Sequence, residues 1–344
     1  MHIKSTVIDS LAHVVPPEVW TSTDIEEKLK PLYDRLHLPE GRLELMTGIR
    51  ERRFWNHAIR PSEASAEAGI KALEKSKIPP DKIEVCIHCS VSRDMLEPAT
   101  ASFAHRLMGL SPNVQVMDVS NACLGFLNSL TLLSAMIDSG QVRSGIVVSG
   151  ENGKPLLERT IQLLLERKLT RKTIKPYFAN LTIGAGAVAA VVCHESLSPN
   201  GHRLLGGVCL ADTSNNDLCQ GDSNAEGFGY EMQTDSEEML HAGVSLARRN
   251  WESLKSELNW QNDDADRVIC HQVGSAHQKL LFDTLGLDLK KAYSSFQTFG
   301  NTGSAALPIT LAKAEEGGFV KKGDQVAMLG IGSGLNCLML GAEW

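Results

Sequence analysis

The chain repeats itself: residues 84–150 and 267–330 follow the same order of segments. That constrains the fold more than any single motif. In the first half, Glu84–His88 reads as a strand, and the helix after it closes on Gly109-Leu110. In the second, the strand Arg267–Cys270 precedes the helix Ser275–Leu285, which closes on Gly286-Leu287. Val114–Cys123 then runs into the apolar helix Leu124–Ile137, followed by Asp138-Ser-Gly-Gln-Val and Ile146–Gly150. Its counterpart is Tyr293–Asn301, running into the helix Ala305–Ala314, followed by Glu316–Val320 and Gln325–Gly330. Cys123 lies 27 positions before Gly150, and Asn301 lies 29 before Gly330. A duplicated α/β half therefore predicts that Cys123 and Asn301 occupy equivalent strand-to-helix junctions about a pseudo-twofold axis. Facing junctions would place a site between the halves.

The seam is expected near Ser196–Gly201, a turn-forming stretch. It divides the chain into residues 1–198 and 199–344, with no linker or low-complexity segment between them. A length of 344 residues exceeds one ordinary core and fits two packed halves. Elsewhere Thr21-Ser-Thr-Asp offers helix caps, Ile25–Leu36 has a helical rhythm broken by Pro31, and Glu63–Ser76 is strongly helical. Strands alternating with helices predict a parallel sheet covered on both faces.

The net charge of −7, with no stripe of clustered Lys and Arg, argues against a nucleic-acid surface. Arg50–Arg53 is short and interrupted by Glu51, and reads either as a solvated turn or as a grip on phosphates. The N-terminal residues read as a strand rather than a signal peptide, and no apolar run has the length to cross a bilayer. A cytoplasmic protein with eight free cysteines is expected. The Asn180-Leu181-Thr182 sequon has no meaning in that compartment.

Three residues carry candidate chemistry. Cys123 sits between a strand and a helix, where free N–H groups and the helix dipole favour thiolate. A small buried core cysteine is the plainer reading. His271 follows a strand end, where α/β sheets place their ligands, although a lone histidine there is usually structural. Asn301, in Phe299-Gly-Asn-Thr-Gly, is otherwise a turn or cap residue. In this order, on one axis, they describe a Cys-His-Asn constellation, with His and Asn donating hydrogen bonds to a thioester enolate oxygen. Cys86-Ile-His-Cys89 has CxxC spacing, but on a strand its thiols face opposite ways, so no metal or redox role is expected. His271 and His277 lack further ligands, and Gly330-Ile-Gly-Ser-Gly has no βα unit after it to make a dinucleotide fingerprint.

The segments around Cys123 and His271, Phe299-Gly-Asn-Thr-Gly-Ser-Ala and Gly330-Ile-Gly-Ser-Gly-Leu-Asn resemble the thiolase superfamily. Within it they resemble the β-ketoacyl synthase III branch, of which Thr47-Gly-Ile-Arg-Glu-Arg-Arg is a further mark. The resemblance covers the whole chain in order. It implies a thiolase-like α/β fold of two duplicated halves stacked as αβαβα layers. It also implies acyl transfer to Cys123, with His271 and Asn301 assisting carbanion formation. The backbone N–H groups of Cys123 and of a residue near Ser333 would form an oxyanion hole. A homodimer acting on acyl-CoA, or on chains delivered by an acyl carrier protein, with no cofactor or metal, is implied as well.

Arg93–Thr100, Asn180–Ala187 and Leu329–Trp344 resemble more narrowly the synthases that join two fatty acyl-CoA molecules head to head in bacterial olefin synthesis. That resemblance implies that Glu97 enters the partner subunit's site as a base. Chemistry supports the need: an unactivated acyl-CoA has no CO₂ to lose, so its α-proton must be removed. Glu97 before Pro98 also suits a helix start. The alternatives are a decarboxylating 3-oxoacyl-ACP synthase III that starts chains from acyl-CoA and malonyl-ACP, and a silent chain-binding partner. Gly41–Met46 lacks the aromatic residue with which many synthase III enzymes stack the CoA adenine.

Overall fold

The computed structural model describes residues 1–223 and 230–344. In the first half, β1 (Thr6–Val14), β2 (Glu18–Thr21), α1 (Ser22–Lys28), α2 (Lys30–Leu36), α3 (Arg42–Thr47), β3 (Glu51–Phe54) and α4 (Pro61–Lys75) follow one another. Then come β4 (Val85–His88), α5 (Thr100–Leu107), β5 (Gln115–Asp118), α6 (Gly125–Asp138), β6 (Ser144–Asn152), α7 (Lys154–Glu166) and β7 (Ala185–His194). The second half has β8 (His202–Ala211), β9 (Cys219–Ser223), β10 (Tyr230–Thr234), α8 (Ser236–Leu258), β11 (Arg267–Cys270) and α9 (Ser275–Leu285). It closes with α10 (Phe296–Phe299), α11 (Ala306–Glu316), β12 (Gln325–Gly332) and β13 (Asn336–Glu343).

Local chemistry explains the starts. Thr21 and Asp24 form a reciprocal capping box on α1, and Pro31 sits in the first turn of α2, so one expected helix becomes two. Nine strands hydrogen-bond in the order β11-β12-β13-β8-β1-β7-β6-β4-β5. β1 and β8 share only two paired positions, Val7 with Arg203 and Ile8 with His202, so they hinge two sheets together. Each sheet repeats the other: β4, β6, β7 and β1 correspond to β11, β12, β13 and β8.

The sheets are mixed rather than parallel. β4 runs parallel to β5 and β6, and β11 to β12, whereas β7, β1, β8 and β13 pair antiparallel with their neighbours. Only residues 333–335 connect β12 to β13, far too few for a parallel crossover. The copies also differ at β5, whose counterpart is reduced to one bridge, Val268 with Ala292. There the Gln272 carboxamide accepts from Ser295 N at 2.8 Å and Phe296 N at 2.9 Å and donates to Tyr293 O at 2.8 Å, standing in for a strand.

Side-chain alternation along the strands sorts the apolar residues into three cores. Ile146, Val148, Ala187 and Ala189 face α4, α5 and α7. Val147, Val188, Val326 and Met328 face a central layer formed by α6 and α11. Ala327, Leu329 and Met339 face α8 and α9. Two sheets between three helical layers give the αβαβα stack, a thiolase-like fold.

At the join of the halves, Gly184 lies so close to the turn after α10 that a Cβ there would sit 2.0 Å from Phe299 O. Gly184→Ala is expected to destabilise the fold by about 1–3 kcal/mol, read as a lower denaturant midpoint. An unchanged midpoint would show that strand and turn separate freely.

Candidate active site

Cys123 sits in a strained turn. Ala122 before it adopts a left-handed φ of 45°, uncommon for a residue with a Cβ. Leu124 N and Gly125 N donate back to Asn121 O and Ala122 O at 2.9 and 3.2 Å. Those N–H groups at the mouth of α6 are therefore used up by the turn. This corrects the expectation of a favoured thiolate. Burial pushes the Cys123 thiol up to about 12, and the Glu151 carboxylate and the Cys219 thiol push in the same direction. Only its own backbone N–H opposes them. The sulfur borders a cavity, yet protein surrounds it closely enough to penalise charge.

His271 extends β11, its N–H donating to Leu329 O at 2.9 Å. Its ring is buried and its Nδ1 has no hydrogen-bond partner among the described residues. Burial, aided by His277, holds its pKa down to about 3, and burial holds His277 at about 4. Both imidazoles are neutral at ordinary pH. Asn301 is fixed at both backbone groups: its N–H donates to Thr182 O and its carbonyl accepts from Gly184 N, each at 2.9 Å. Its Oδ1 accepts from Gly303 N at 3.0 Å, which leaves the Nδ2 hydrogens as the group offered to a ligand.

Cys123, His271, Asn301 and Ser333 line one cavity of about 1750 Å³. A Cβ built on Gly332 would lie 3.6 Å from Cys123 N, so the backbone leading to Ser333 runs beside that of the cysteine. Most of the lining is apolar, with Leu38, Ile59, Leu156, Phe178 and Met239 among it. From residues 37–46 and 171–176 the lining takes Arg42, Arg171, Lys172 and Lys175, while Glu40 and Glu44 of the same stretch do not border it.

Glu97 stands apart. It is exposed on the segment between β4 and α5 and does not border the cavity, whereas its neighbours Met95 and Leu96 do. It does not cap α5 either: the Asp118 carboxylate accepts the Thr100 and Ala101 N–H groups at 2.8 Å each. Glu97 therefore supplies no capping hydrogen bond to α5.

Within Arg50–Arg53, Arg50 is exposed, whereas Glu51, Arg52 and Arg53 belong to β3 rather than to a turn. Arg52 is fully buried, donating to Leu181 O and Ser22 Oγ at 2.8 Å each, and Arg53 pairs with Glu51 at 2.7 Å. The sequon asparagine is buried as well, its Nδ2 bonded to Thr160 Oγ1 and Met232 O. Cys86 and Cys89 pack into different cores on opposite sides of β4. Sequence reasoning passed over Glu151 and Cys219, which also line the cavity. An acid at the end of a buried strand, in Ser149-Gly-Glu-Asn, was the available signal for Glu151.

Comparison with known proteins bears on this arrangement. Residues 117–212 match the family model of 3-oxoacyl-[acyl-carrier-protein] synthase III, and residues 256–344 match the model of its C-terminal part. Acyl-CoA:acyl-CoA alkyltransferases of Shewanella oneidensis and Xanthomonas campestris are each 37% identical, with 100% of both chains covered. A β-ketoacyl-[acyl-carrier-protein] synthase III of Aliarcobacter butzleri is 26% identical over 95% of this chain and 94% of its own. Crystal structures of X. campestris OleA superpose with a TM-score of 0.95 at 36–37% identity, covering 100% of this chain and 98% of theirs. Fold and site together define a thiolase-superfamily acyltransferase of the synthase III type. Within that class the chain belongs to the acyl-CoA:acyl-CoA alkyltransferase (OleA) family.

Burial of neutral histidines has a consequence for stability. His88, His271 and His277 are held from 6.5 down to about 4, 3 and 4, in each case first by burial. Between those values the unfolded chain binds more protons than the folded one. Their contribution is therefore complete above pH 6.5 and is lost as the pH falls toward about 4. The urea midpoint should fall as pH drops from 6.5 to 4.5, the ordinary value of a glutamate. A flat midpoint over that window would mean the imidazoles charge inside the fold.

Proposed function

We propose that this protein carries out a non-decarboxylative Claisen condensation of two fatty acyl-CoA thioesters. Cys123 attacks the first thioester; its S–C bond forms, the CoA sulfur leaves, and the thiol proton departs with it as free CoA. The Cys123 N–H and the backbone at Ser333 hold the carbonyl oxygen during this step. Glu97, reaching in from a partner subunit, removes the α-proton of a second acyl-CoA, and the enolate oxygen is held by neutral His271 and the Asn301 amide. The carbanion attacks the acyl-Cys123 carbonyl, a C–C bond forms, and the Cys123 sulfur leaves and regains a proton. Hydrolysis of the remaining thioester gives a 2-alkyl-3-oxo acid.

The observation that carries this reading is one large, mostly apolar cavity bordered by the thiol, the imidazole and the carboxamide. At about 1750 Å³ it exceeds the roughly 300–1,000 Å³ of a pocket for one drug-sized ligand, which suits two chains. The basic wall with Arg42, Arg171, Lys172 and Lys175 suits the phosphates of CoA, and no adenine-stacking tryptophan is required of it. The reading needs no metal or organic cofactor. The exposure of the Glu97 segment supports a homodimer as part of this proposal: Leu96 is 93% and Val91 53% exposed beside it, apolar surface that a second copy would cover. Among the solved OleA structures are one with cerulenin bound and others altered at a single cysteine, histidine or glutamate, the residue types assigned here. No helix among the described residues is long and apolar enough to cross a membrane, and a cytoplasmic location is part of this proposal.

Incubation with one long-chain acyl-CoA should release free CoA, add an acyl mass to Cys123 and yield the 2-alkyl-3-oxo acid. Absence of both CoA release and condensed product sinks the reading. Glu97→Gln should lower condensation by about 10²–10⁴-fold while the acyl mass still appears. Mixing the Cys123→Ala and Glu97→Gln proteins should restore part of the activity, because hybrid dimers rebuild one whole site. Failure to recover any would remove the shared-site arrangement.

A further inference from the structure

The buried carboxylate of Glu151 has no part in the steps above, yet it is the most heavily bonded group at the site. Its Oε1 accepts Val91 N–H at 2.8 Å, Ser304 N–H at 3.0 Å and the Ser304 hydroxyl at 2.7 Å. Its Oε2 accepts Ser92 N–H at 3.0 Å. These donors come from two places. Val91 and Ser92 are the root of the segment that carries Glu97, and Ser304 follows Asn301 by three residues in the opposite half.

Several observations show that the junction is built. Gly303 holds a left-handed φ of 56°, and a Cβ there would lie 2.8 Å from Glu151 Oε1. The Ser304 hydroxyl also meets Ser149 Oγ at 2.8 Å, which meets Ser90 Oγ at 3.3 Å, which in turn meets His88 Nε2 at 3.0 Å. A second tether holds the same segment. The Asp94 carboxylate accepts from Ser62 N at 3.0 Å and Ser62 Oγ at 2.6 Å. Residues 91, 92 and 94 are thus pinned, and Glu97 lies three residues beyond.

We propose that Glu151 is a positioning residue that fixes the root of the Glu97 segment and the Asn301 turn against the nucleophile half, so that the acyl-enzyme condenses rather than losing its chain to water. This rests on the reading of Glu97 as the base. Donors on both oxygens orient the carboxylate, and a carboxamide cannot replace it, because one of its two ends donates. The same negative charge lies close enough to Cys123 to work against thiolate formation.

Glu151→Gln preserves size and removes both the charge and one acceptor. With a single long-chain acyl-CoA, the ratio of condensed product to hydrolysed fatty acid should fall by about a hundredfold relative to the wild type. Iodoacetamide should also alkylate Cys123 faster at a fixed mildly alkaline pH, since the thiolate fraction rises. Glu151→Asp, which restores charge at shorter reach, should return alkylation to the wild-type rate and recover the ratio in part. A purely structural role would lower condensation and hydrolysis together, in step with the melting temperature, and leave the ratio unchanged; that result overturns the proposal. Should Glu151→Gln fail to fold, Glu151→Asp decides, a ratio below wild type supporting the proposal and a wild-type ratio overturning it. A wild-type enzyme that acylates and never condenses is distinguishable in the same assay and overturns the function reading instead.

Discussion

The strand β12 carries no side chain at Gly330 and Gly332 where it passes the start of α6, and the candidate site exists because of that contact. A Cβ at Gly330 would fall 2.5 Å from Leu124 and 2.9 Å from Leu127. Bare backbone lets the second half close on the cysteine turn of the first. The central helical layer is then shared, so neither half can bury its inner face without the other. The cavity, the Cys123 turn and the backbone at Ser333 all sit on this seam.

Burial at this seam sets the protonation states. Burial dominates the shifts at Cys123, His271 and His277, and each moves toward its uncharged form. Among the described residues the neutral His271 imidazole keeps an unpartnered ring nitrogen, and the Asn301 amide oxygen is already bonded. The thiol is pushed by burial toward its protonated form.

Legibility from sequence divided along physical lines. The repeat, the strand-to-helix junction at Cys123 and the strand end at His271 were readable, because turn residues and apolar periodicity are local signals; Asn301 instead follows the short helix α10, where a strand was expected. The mixed strand directions were not, since direction depends on which strands become neighbours. The second copy of β5 was misread because a single side chain, Gln272, replaces its ladder. Arg52 looked like a surface charge until the fold buried it beneath Leu181 and Ser22.

The amino-acid order by itself carried the repeated order of segments and the family resemblance, and it singled out Cys123, His271 and Asn301 as candidates, since each rests on short-range patterning. Only the tertiary structure decided that burial pushes the cysteine toward its protonated form, that Glu97 lies outside its own cavity and that Asp118 rather than Glu97 bonds the first N–H groups of α5. Ionisation and hydrogen-bond ownership depend on burial and on partners distant in the chain, such as Glu151 and Ser304, 153 positions apart. No local pattern records those distances.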